Sequence, residues 1–262
     1  MDTFIQSLAQ EGGEIALRAF RKGVSVRHCK LDNPNNVVTD TDVEVEEHII
    51  GRIRKEYPTH GIIAEESGSI DTDVDDVWII DPIDGTLNFA TGVPLFAIMI
   101  AHMHKGEVDL AAINLPVTNE LFFAKRGDGA YCNGERLTCM PKNTLKRSRG
   151  CLSSPASAKG LDIVRRLNAS LPGAPVHINA YGSMGVHACY VAAGRRDWMV
   201  SLAPSFHDLA ATSFLAEMAG CTVTDIRGEP VHPGSRGMVV SHPECHISLL
   251  RVVQEVLEDR GE

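Results

Sequence analysis

The sequence predicts a layered α/β (α+β) protein in which helices cover mostly antiparallel strands. Apolar residues recur at helical spacing near both ends of the chain, whereas residues 61–124 hold short apolar or alternating runs between Gly, Pro and Asn residues, which is typical of strands. No repeat, low-complexity tract or linker interrupts the 262 residues. We therefore expect one domain over residues 1–262, with possible sub-halves of about 1–145 and 146–262.

The first half begins with two predicted helices. Residues 3–22 place apolar side chains on one face, and Thr3 and Gln6 have the spacing of a capping box. Residues 42–57 show the same periodicity, and Pro58 directly after them predicts the end of the helix. Strands are then predicted over residues 61–64, 77–80, 95–103, 108–113 and 120–124.

The second half alternates helices and strands. Helical spacing predicts helices over residues 161–171, 182–193, 209–219 and 247–258. Shorter apolar runs predict strands over residues 176–178, 198–202, 221–225 and 238–240. The halves meet near residues 140–150, where Pro141, Lys142 and Asn143 precede a basic stretch. This alternation is the second reason to expect layers of helices and sheets.

The charge balance excludes two classes of partner. The chain has 34 Asp and Glu against 25 Lys and Arg, a formal net charge of −9 and no cluster of basic residues. Direct binding to nucleic acid or to an anionic membrane surface is therefore not expected. The longest apolar run, residues 93–103, is too short to span a bilayer, and the acidic N-terminus differs from a signal peptide. We expect a cytoplasmic protein.

The cysteine and histidine patterns predict neither disulfides nor a zinc finger. The seven cysteines never form a C-x-x-C pair, so we expect reduced thiols that fill gaps in the core. The eleven histidines include no H-E-x-x-H motif and no Cys/His pair at finger spacing. These spacings do not predict a structural zinc site.

The segment W-I-I-D-P-I-D-G-T at residues 78–86 carries the strongest chemical signal. Its apolar run ends in Asp81, which predicts a carboxylate at the carboxyl end of a strand, where sheets present ligand groups. Asp84 follows after a proline turn, so both carboxylates can reach the same hard cations. Gly85 and Thr86 then offer N–H groups and a hydroxyl to a phosphate. The alternative is an ordinary Asp-Pro-x-Asp-Gly turn on a solvated edge.

Acidic residues at three other places favour the same interpretation. The glutamates at 65–66 follow a predicted strand, and their alternative is a charged loop. Asp42 closes a V-V-T-D-T-D run at the start of a helix, where the alternative is plain capping by Asp40 or Thr41. Asp208 begins an Ala-rich helix, and capping is again the alternative.

The motifs also form a series along the chain. The series consists of V-V-T-x-T-D at 37–42, E-E-S at 65–67, W-I-I-D-P-I-D-G-T at 78–86, G-S before a helix at 182–183, and D-L-A-A at 208–211. In order and spacing it resembles the inositol monophosphatase family of magnesium-dependent, lithium-sensitive phosphatases, over nearly the whole chain. The resemblance implies an αβαβα sandwich of the inositol monophosphatase and fructose-1,6-bisphosphatase type. It also implies two to three Mg²⁺ ions per active site and a homodimer.

The resemblance implies a set of metal ligands. A first Mg²⁺ would lie between Glu65, Asp81 and the backbone carbonyl of Ile83. A second would lie between Asp81, Asp84 and Asp208. A third, more loosely held ion would contact Glu65. Mg²⁺ binds through carboxylates and keeps part of its water, so such a site can acidify a water for attack on phosphorus.

The same resemblance implies the catalytic roles. Glu65 and Thr86 would orient and deprotonate the attacking water, and Asp42 would accept from Thr86. Asp84, together with the N–H groups of Gly85 and Thr86, would bind the substrate. The mechanism that the resemblance implies has no covalent phosphoenzyme. The D-x-x-D spacing separately argues against a haloacid-dehalogenase-type phosphatase, which needs D-x-D with the first Asp as nucleophile.

Part of the substrate-binding motif departs from the family. Gly182 and Ser183 match it, but Met184 replaces the usual Ala, and Ser201 stands where inositol-cleaving members have Glu. We therefore expect Gly182, Ser183, Met184 and Ser201 to face the substrate. The loss of the Glu favours a substrate range that is not limited to inositol phosphate.

Three further positions also differ. His207 replaces the usual Trp before the late Asp, either as a packing exchange or as a new polar wall. Asn179 replaces the Arg three residues before Gly182. Lys30 lies one position away from the register of the family's basic residue, so no role is assigned to it.

The predicted function is that of an Mg²⁺-dependent phosphomonoesterase acting on a small polar phosphate ester that resembles inositol 1-phosphate. The alternatives of the same chemistry are histidinol phosphate, fructose bisphosphate and 3′-phosphoadenosine nucleotides. An alternative of another class is a regulatory protein that binds the transcription machinery, as some bacterial members of the family do.

Overall fold

The structure of the protein, a computed structural model, describes residues 1–23, 26–29, 37–141, 144–153, 157–170, 175–202 and 205–259. The helices in these ranges are α1 (Asp2–Lys22), α2 (Asp40–Glu56), α3 (Thr86–Ala90), α4 (Ala158–Ser170), α5 (Met184–Ala192), α6 (Phe206–Met218) and α7 (Pro243–Glu258). Among the described residues, no helix is both long and apolar enough to cross a membrane.

Most of the first half forms one eight-stranded sheet in the order β10-β9-β8-β7-β6-β5-β3-β4. Its strands are β3 (Gly61–Ala64), β4 (Gly68–Ile70), β5 (Asp76–Asp84), β6 (Ala97–His104), β7 (Glu107–Leu115), β8 (Glu120–Lys125), β9 (Gly129–Cys132) and β10 (Glu135–Arg136). All neighbours are antiparallel except β3 and β5, which run parallel. A separate antiparallel ribbon pairs β1 (Val26–Cys29) with β2 (Val37–Thr39).

The second half forms a five-stranded sheet in the order β12-β11-β13-β15-β14. Its strands are β11 (Arg149–Leu152), β12 (His177–Asn179), β13 (Trp198–Leu202), β14 (Thr222–Asp225) and β15 (Gly237–Ser241). Strand β11 runs parallel to both of its neighbours, whereas β15 runs antiparallel to β13 and β14. The small sheet is therefore mixed, but nine of the twelve described strand pairs in the protein are antiparallel, as predicted.

Four apolar clusters join the two sheets and the helices into five layers. Helices α1 and α2 cover one face of the large sheet, and α5 and α6 cover its other face. The opposite sides of α5 and α6 pack on the small sheet, whose outer face is covered by α4 and α7. This arrangement confirms the αβαβα sandwich. Helices α5 and α6 lie between both sheets, so residues at their N-termini can meet residues from β5.

Several predicted element boundaries are wrong. Helix α1 begins at Asp2 after Met1 without a side-chain cap, so Thr3 and Gln6 do not form the predicted capping box. Helices α4, α6 and α7 begin three or four residues before their predicted starts. Their first turns mix polar residues with isolated apolar ones such as Phe206 and Cys245, which are too few to show helical periodicity. The six cysteines whose side chains are described are free, and five of them are buried, as expected.

Candidate metal centre

Four acidic side chains, from β5, the end of β3 and α6, converge at one end of the large sheet. Asp81 and Asp84 belong to β5, and Glu65 directly follows the neighbouring strand β3. Because β3 and β5 are parallel, their carboxyl ends meet at the same edge, and the Glu65 N–H donates to the carbonyl of Ile80 at 3.2 Å. Asp208 reaches this edge from the first turn of α6. The predicted position of these carboxylates at strand and helix ends is therefore correct.

Three of the carboxylates form a compact group that suits a hard cation. Oxygen atoms of Asp81, Asp84 and Asp208 lie within 4.8 Å of one another. Oδ1 of Asp81 is buried and has no hydrogen-bond partner among the described residues. Burial raises the pKa of Asp81 well above its ordinary value, and the negative charges of Glu65, Asp84 and Asp208 raise it further. A buried, unpartnered oxygen among like charges is a fit for a bound divalent cation.

Asp84 is held by the N-terminus of α5. Its Oδ1 accepts from the N–H of Met184 at 2.9 Å, and its Oδ2 accepts from the N–H of Gly185 at 2.7 Å and from the Ser183 hydroxyl. Complete burial raises the pKa of Asp84 to about 7, with a further upward contribution from Asp208 that these hydrogen bonds oppose. Residues 183–185 therefore fix a carboxylate across the boundary between the two halves of the chain.

Asp208 also has a structural partner. Its Oδ2 accepts from the N–H and the hydroxyl of Ser205, both at 2.9 Å, which makes a capping box at the start of α6. The adjacent His207 places Nε2 2.5 Å from the same Ser205 hydroxyl. Burial raises the pKa of Asp208, and His207 lowers it in part. His207 is thus a polar neighbour of this capping box and does not line the cavity beside Asp84.

The loop that carries Glu65 is anchored by a residue that the sequence analysis missed. Glu46 on α2 is 1% exposed and accepts from the backbone N–H groups of Glu66 and Ser67, each at 2.8 Å. It also accepts from the Ser67 hydroxyl at 2.5 Å. Glu46 therefore fixes the backbone directly after Glu65. Only its position four residues after Asp42, on the same helical face, hinted at this.

The Thr86 hydroxyl lies between two other groups of the predicted site, the carbonyl of Ile83 and the carboxylate of Asp42. It is 2.8 Å from the carbonyl of Ile83 and 3.2 Å from Oδ1 of Asp42. The second oxygen of Asp42 accepts from Thr39 and closes a capping box at the start of α2, so Thr39, rather than Asp40 or Thr41, is the cap. Burial raises the pKa of Asp42 to about 6 against the hydrogen bonds from Thr39.

Gly85 and Gly182 allow this close approach of the two halves. Gly85 has φ 88°, and an added Cβ would lie 3.0 Å from the Cβ of Ser183 and 3.1 Å from the carbonyl of Gly182. Gly182 has φ 69°, and its added Cβ would meet Asn88 at 3.0 Å. The left-handed backbone and the contact distance both require glycine at these positions.

A cavity of about 250 Å³ lies beside Asp84. Its lining residues are Asp84, Leu152, Ser153, Ala180, Gly182, Ser183, Met184 and His187. Three of the four residues expected to face the substrate are among them. Ser201 is not, because it is 1% exposed and lies behind Ser153, with 3.1 Å between the two hydroxyl oxygens.

His187 is the second lining residue that the sequence analysis missed. Its Nε2 accepts from the N–H of Tyr181 at 2.9 Å, so the proton of the neutral ring is on Nδ1, which is buried without a partner among the described residues. Burial lowers the pKa of His187 to about 4. The residue therefore contributes a neutral ring to the wall of the cavity.

The comparisons identify the family to which the chain belongs. Residues 1–258 match the sequence profile of the inositol monophosphatase family. The chain is a member of this family. A relative from Thermotoga maritima named fructose-1,6-bisphosphatase/inositol-1-monophosphatase is 36% identical over 226 residues, 86% of each chain. A Pseudomonas aeruginosa relative named Nus factor SuhB is 34% identical over 252 residues, 94% of this chain and 93% of its own.

Solved structures agree with this membership. An IMPase of Thermotoga maritima superimposes with a TM-score of 0.88 at 32% identity and 98% coverage of both chains. The extragenic suppressor protein SuhB of Bartonella henselae gives the same TM-score at 27% identity, with 97% of this chain and 98% of its own covered. The family resemblance and the predicted fold are thus confirmed.

Asn179, one of the positions at which this family member departs from the family pattern, does not line the cavity beside Asp84. It lines a separate cleft with Arg149 and Arg196. Lys30 lies outside the described residues.

Proposed function

We propose that this member of the inositol monophosphatase family is an Mg²⁺-dependent phosphomonoesterase that acts on a small polar phosphate ester. The observation that carries the proposal is the buried, unpartnered Oδ1 of Asp81 within 4.8 Å of carboxylate oxygens of Asp84 and Asp208. Such an arrangement is costly without a cation, because three negative charges share a desolvated site. Mg²⁺ prefers oxygen ligands of this kind.

The proposed ligands are those that the resemblance implies. Glu65, Asp81 and the carbonyl of Ile83 would hold one ion, and Asp84 and Asp208 would join Asp81 around a second. A third ion at Glu65 is part of the proposal, so that two to three ions bind per site. When bound, Mg²⁺ supplies Lewis acidity toward phosphoryl oxygens and lowers the pKa of water.

The chain's own groups supply the proton path. The Thr86 hydroxyl can donate to Asp42 Oδ1, 3.2 Å away, and accept from a water on its other side. A carboxylate with a pKa of about 6 can accept a proton near neutral pH, which suits Asp42 for this step. Glu65, fixed by the anchored loop after β3, would orient the same water. The N–H groups of Gly85 and Thr86 would position the phosphate.

The cavity beside Asp84 is the proposed site for the alcohol part of the ester. Its volume of about 250 Å³ lies below the roughly 300–1,000 Å³ of pockets for drug-sized ligands, which favours a small polyol. Ser153 and Ser183 line this cavity and offer hydrogen bonds to hydroxyl groups. Inositol 1-phosphate and fructose 1,6-bisphosphate are the leading substrates, in keeping with the name of the Thermotoga maritima relative.

The test measures phosphate release from these two esters, histidinol phosphate and a 3′-phosphoadenosine nucleotide, with and without Mg²⁺. We expect metal-dependent turnover of at least one ester and a loss on the order of 100-fold or more in Asp84→Asn. Asp73→Asn in an exposed loop is the matched control and should leave turnover unchanged. Absence of metal-dependent turnover across the panel would refute the proposal.

A second candidate function is regulatory binding to the transcription machinery. The relatives named Nus factor SuhB, at 34–35% identity over 92–94% of this chain, favour it. Purified RNA polymerase and this protein, mixed at micromolar concentrations, should then form a complex by light scattering. Asp84→Asn should leave such a complex intact, so a complex without phosphatase activity would favour the regulatory function alone.

Homodimer formation and inhibition by Li⁺ complete the proposal and rest on family membership. Light scattering of the purified protein should give the mass of two chains, and a species with the mass of one chain alone would contradict the dimer. Li⁺ should lower Mg²⁺-dependent turnover when Na⁺ at the same concentration does not. Equal effects of the two cations would contradict Li⁺ sensitivity.

A further inference from the structure

A second group of ligand atoms lies at the opposite end of β5 from the carboxylates. Asp76 begins β5, His102 lies near the end of β6, and His60 follows α2 just before β3. One ligand atom from each residue lies within 4.8 Å of the others. At about 3.3 Å per residue, Asp76 and Asp81 are about 16 Å apart along the strand, so this group is separate from the acidic one.

The ring of His102 is oriented with one nitrogen ready for a ligand. Its Nδ1 lies 2.7 Å from Oδ1 of Asp109, and because a carboxylate only accepts, Nδ1 carries the proton. Nε2 therefore has a free lone pair. The side chain is 2% exposed, and Nε2 has no hydrogen-bond partner among the described residues. A carboxylate that orients a buried histidine in this way is the usual outer partner of a metal-bound imidazole.

The spacing of the nearest pair fits a tetrahedral ion. Nε2 of His102 is 3.5 Å from Oδ1 of Asp76, longer than a hydrogen bond. Two ligands at about 2.0–2.1 Å from a tetrahedral ion are roughly 3.3 Å apart. His104, directly opposite Asp76 in the ladder and half exposed, places Nδ1 2.7 Å from the same Oδ1. As at His102, this Nδ1 carries a proton because a carboxylate only accepts, so it has no lone pair for a metal and a fourth ligand would be water.

His60 is hydrogen-bonded to Trp78, so the fluorescence of this tryptophan can report metal binding at His60. Its Nδ1 accepts from the indole N–H of Trp78 at 3.1 Å. A metal bound through His60 would compete with this hydrogen bond and change the surroundings of the indole. The ring of Trp78 also lies 4.9 Å from that of His102. The chain has two tryptophans, and Trp198 is on β13 in the other sheet.

We propose that His60, Asp76 and His102 form a second metal centre that takes Zn²⁺ or a similar divalent transition metal and is distinct from the Mg²⁺ site. Two imidazoles and one carboxylate suit Zn²⁺, whereas Mg²⁺ prefers oxygen ligands. The bound ion would tie the turn between α2 and β3 to the ends of β5 and β6. The sequence contains no local motif for this metal centre, because its ligands come from three separate parts of the chain.

The test uses Co²⁺ as a spectroscopic probe for the Zn²⁺ site, with metal-stripped protein in excess Mg²⁺. We expect visible d–d absorption that saturates near one equivalent and is displaced by Zn²⁺. Binding should weaken at least 10-fold in His102→Gln and in Asp76→Asn. His48→Gln, which alters a histidine paired with Glu11 at 2.7 Å, is the matched control. Asp84→Asn should also bind Co²⁺ normally.

Zn²⁺ should also change the tryptophan emission of the wild type and of Trp198→Phe, but not that of Trp78→Phe. Thiolate-to-cobalt bands in the near ultraviolet would assign the metal to cysteine and overturn the proposal. So would unchanged Co²⁺ binding in both His102→Gln and Asp76→Asn. If circular dichroism shows that His102→Gln does not fold, the Co²⁺ binding of Asp76→Asn is the deciding measurement. The side chain of Asp76 is one-third exposed, so an amide should be tolerated there.

Discussion

Asp84 combines two tasks that make opposite demands on its charge. It accepts three hydrogen bonds from residues 183–185 at the start of α5, and it also faces the buried Asp81 and the partly buried Asp208. The first task favours the charged form, and the second disfavours it. Because complete burial dominates, its pKa rises to about 7. The protein without metal therefore carries a local free-energy cost that a cation would remove.

The first prediction concerns the unpartnered carboxylate. Asp81→Asn should abolish Mg²⁺-dependent turnover and raise the unfolding temperature in EDTA by a few degrees, because the amide removes one of three clustered charges. Thermal melts in EDTA and in Mg²⁺ measure both effects. In Mg²⁺ the order should reverse, since the wild type gains the ion and the variant does not. Equal melting of the two proteins in EDTA would contradict this account.

The second prediction concerns pH and His187. The folded-state pKa of His187 is about 4, below the ordinary value of 6.5, so the unfolded chain binds the proton more readily. Stability is complete above pH 6.5 and falls as the pH drops toward 4, by about 3 kcal/mol from this residue. Urea unfolding at pH 7.5 and 4.5 should show a smaller loss in His187→Gln. The exposed His177→Gln should keep the wild-type loss.

The sequence predicted the clustered carboxylates and residues 182–184 of the cavity, but it missed Glu46, Ser153 and His187. Asp81 and Asp208 stand out because carboxylates that end or begin apolar elements are unusual. Ser153 and His187 carry no such mark, since a serine in a loop and a histidine within a helix fit many structures. Ser201 was expected in the cavity from its register alone, and only packing shows that Ser153 covers it.

At the scale of elements, three helices of the site begin on site carboxylates. Thr39 and Asp42 close a capping box on α2, and Ser205 and Asp208 close one on α6. Asp84 accepts from the first N–H groups of α5. The sequence analysis weighed capping against function for these acids. The two are compatible, because free N–H groups at a helix start hold a carboxylate in place.

The third prediction concerns the anchor of the loop after β3. Glu46→Gln should lower kcat by about 10–100-fold, since the Gln amide turns a donor toward the N–H groups of Glu66 or Ser67. Far-ultraviolet circular dichroism should stay unchanged. Steady-state kinetics with Glu47→Gln, an exposed neighbour on α2, provides the matched control. Wild-type kcat in Glu46→Gln would show that the loop holds Glu65 without this anchor.

Elements that lack a long apolar pattern escaped prediction. Strands β4 and β10 have three and two residues and are mostly exposed, so no alternation develops. Strand β11 has the sequence R-G-C-L, and its Gly150 is required because an added Cβ would lie 2.1 Å from the ring of Trp198. Such a strand can be recognised only from the side chain that packs over it, here Trp198. The periodicity of its own sequence contains no information about that contact.

At the scale of the whole molecule, α5 and α6 serve both sheets at once. One side of this helix layer packs in the cluster of the large sheet and the other in that of the small sheet. The acidic surplus also acts at this scale. Three bound Mg²⁺ ions would bring the formal charge from −9 to −3, which would ease the approach of an anionic ester.

The fourth prediction is that both halves unfold together. Trp78 lies in the large sheet and Trp198 in the small one, so Trp198→Phe and Trp78→Phe each leave one reporter. In each variant, the fluorescence and circular dichroism transitions in urea should coincide, because neither half can keep its face of the α5–α6 layer without the other. The experiment tests the single domain over residues 1–262 that the sequence predicts.

Mg²⁺ should raise the urea midpoint of the unfolding transition reported by each tryptophan. Its proposed ligands come from β5 in one half and from α6 in the other, so the ion would stabilise both halves. Asp208→Asn removes the ligand of the second half and should reduce this rise in both variants. A transition of Trp198 at lower urea than that of Trp78 would instead reveal two separately folding halves. In that case the metal centre would lie between units that can part, and Mg²⁺ should bring the two midpoints closer together.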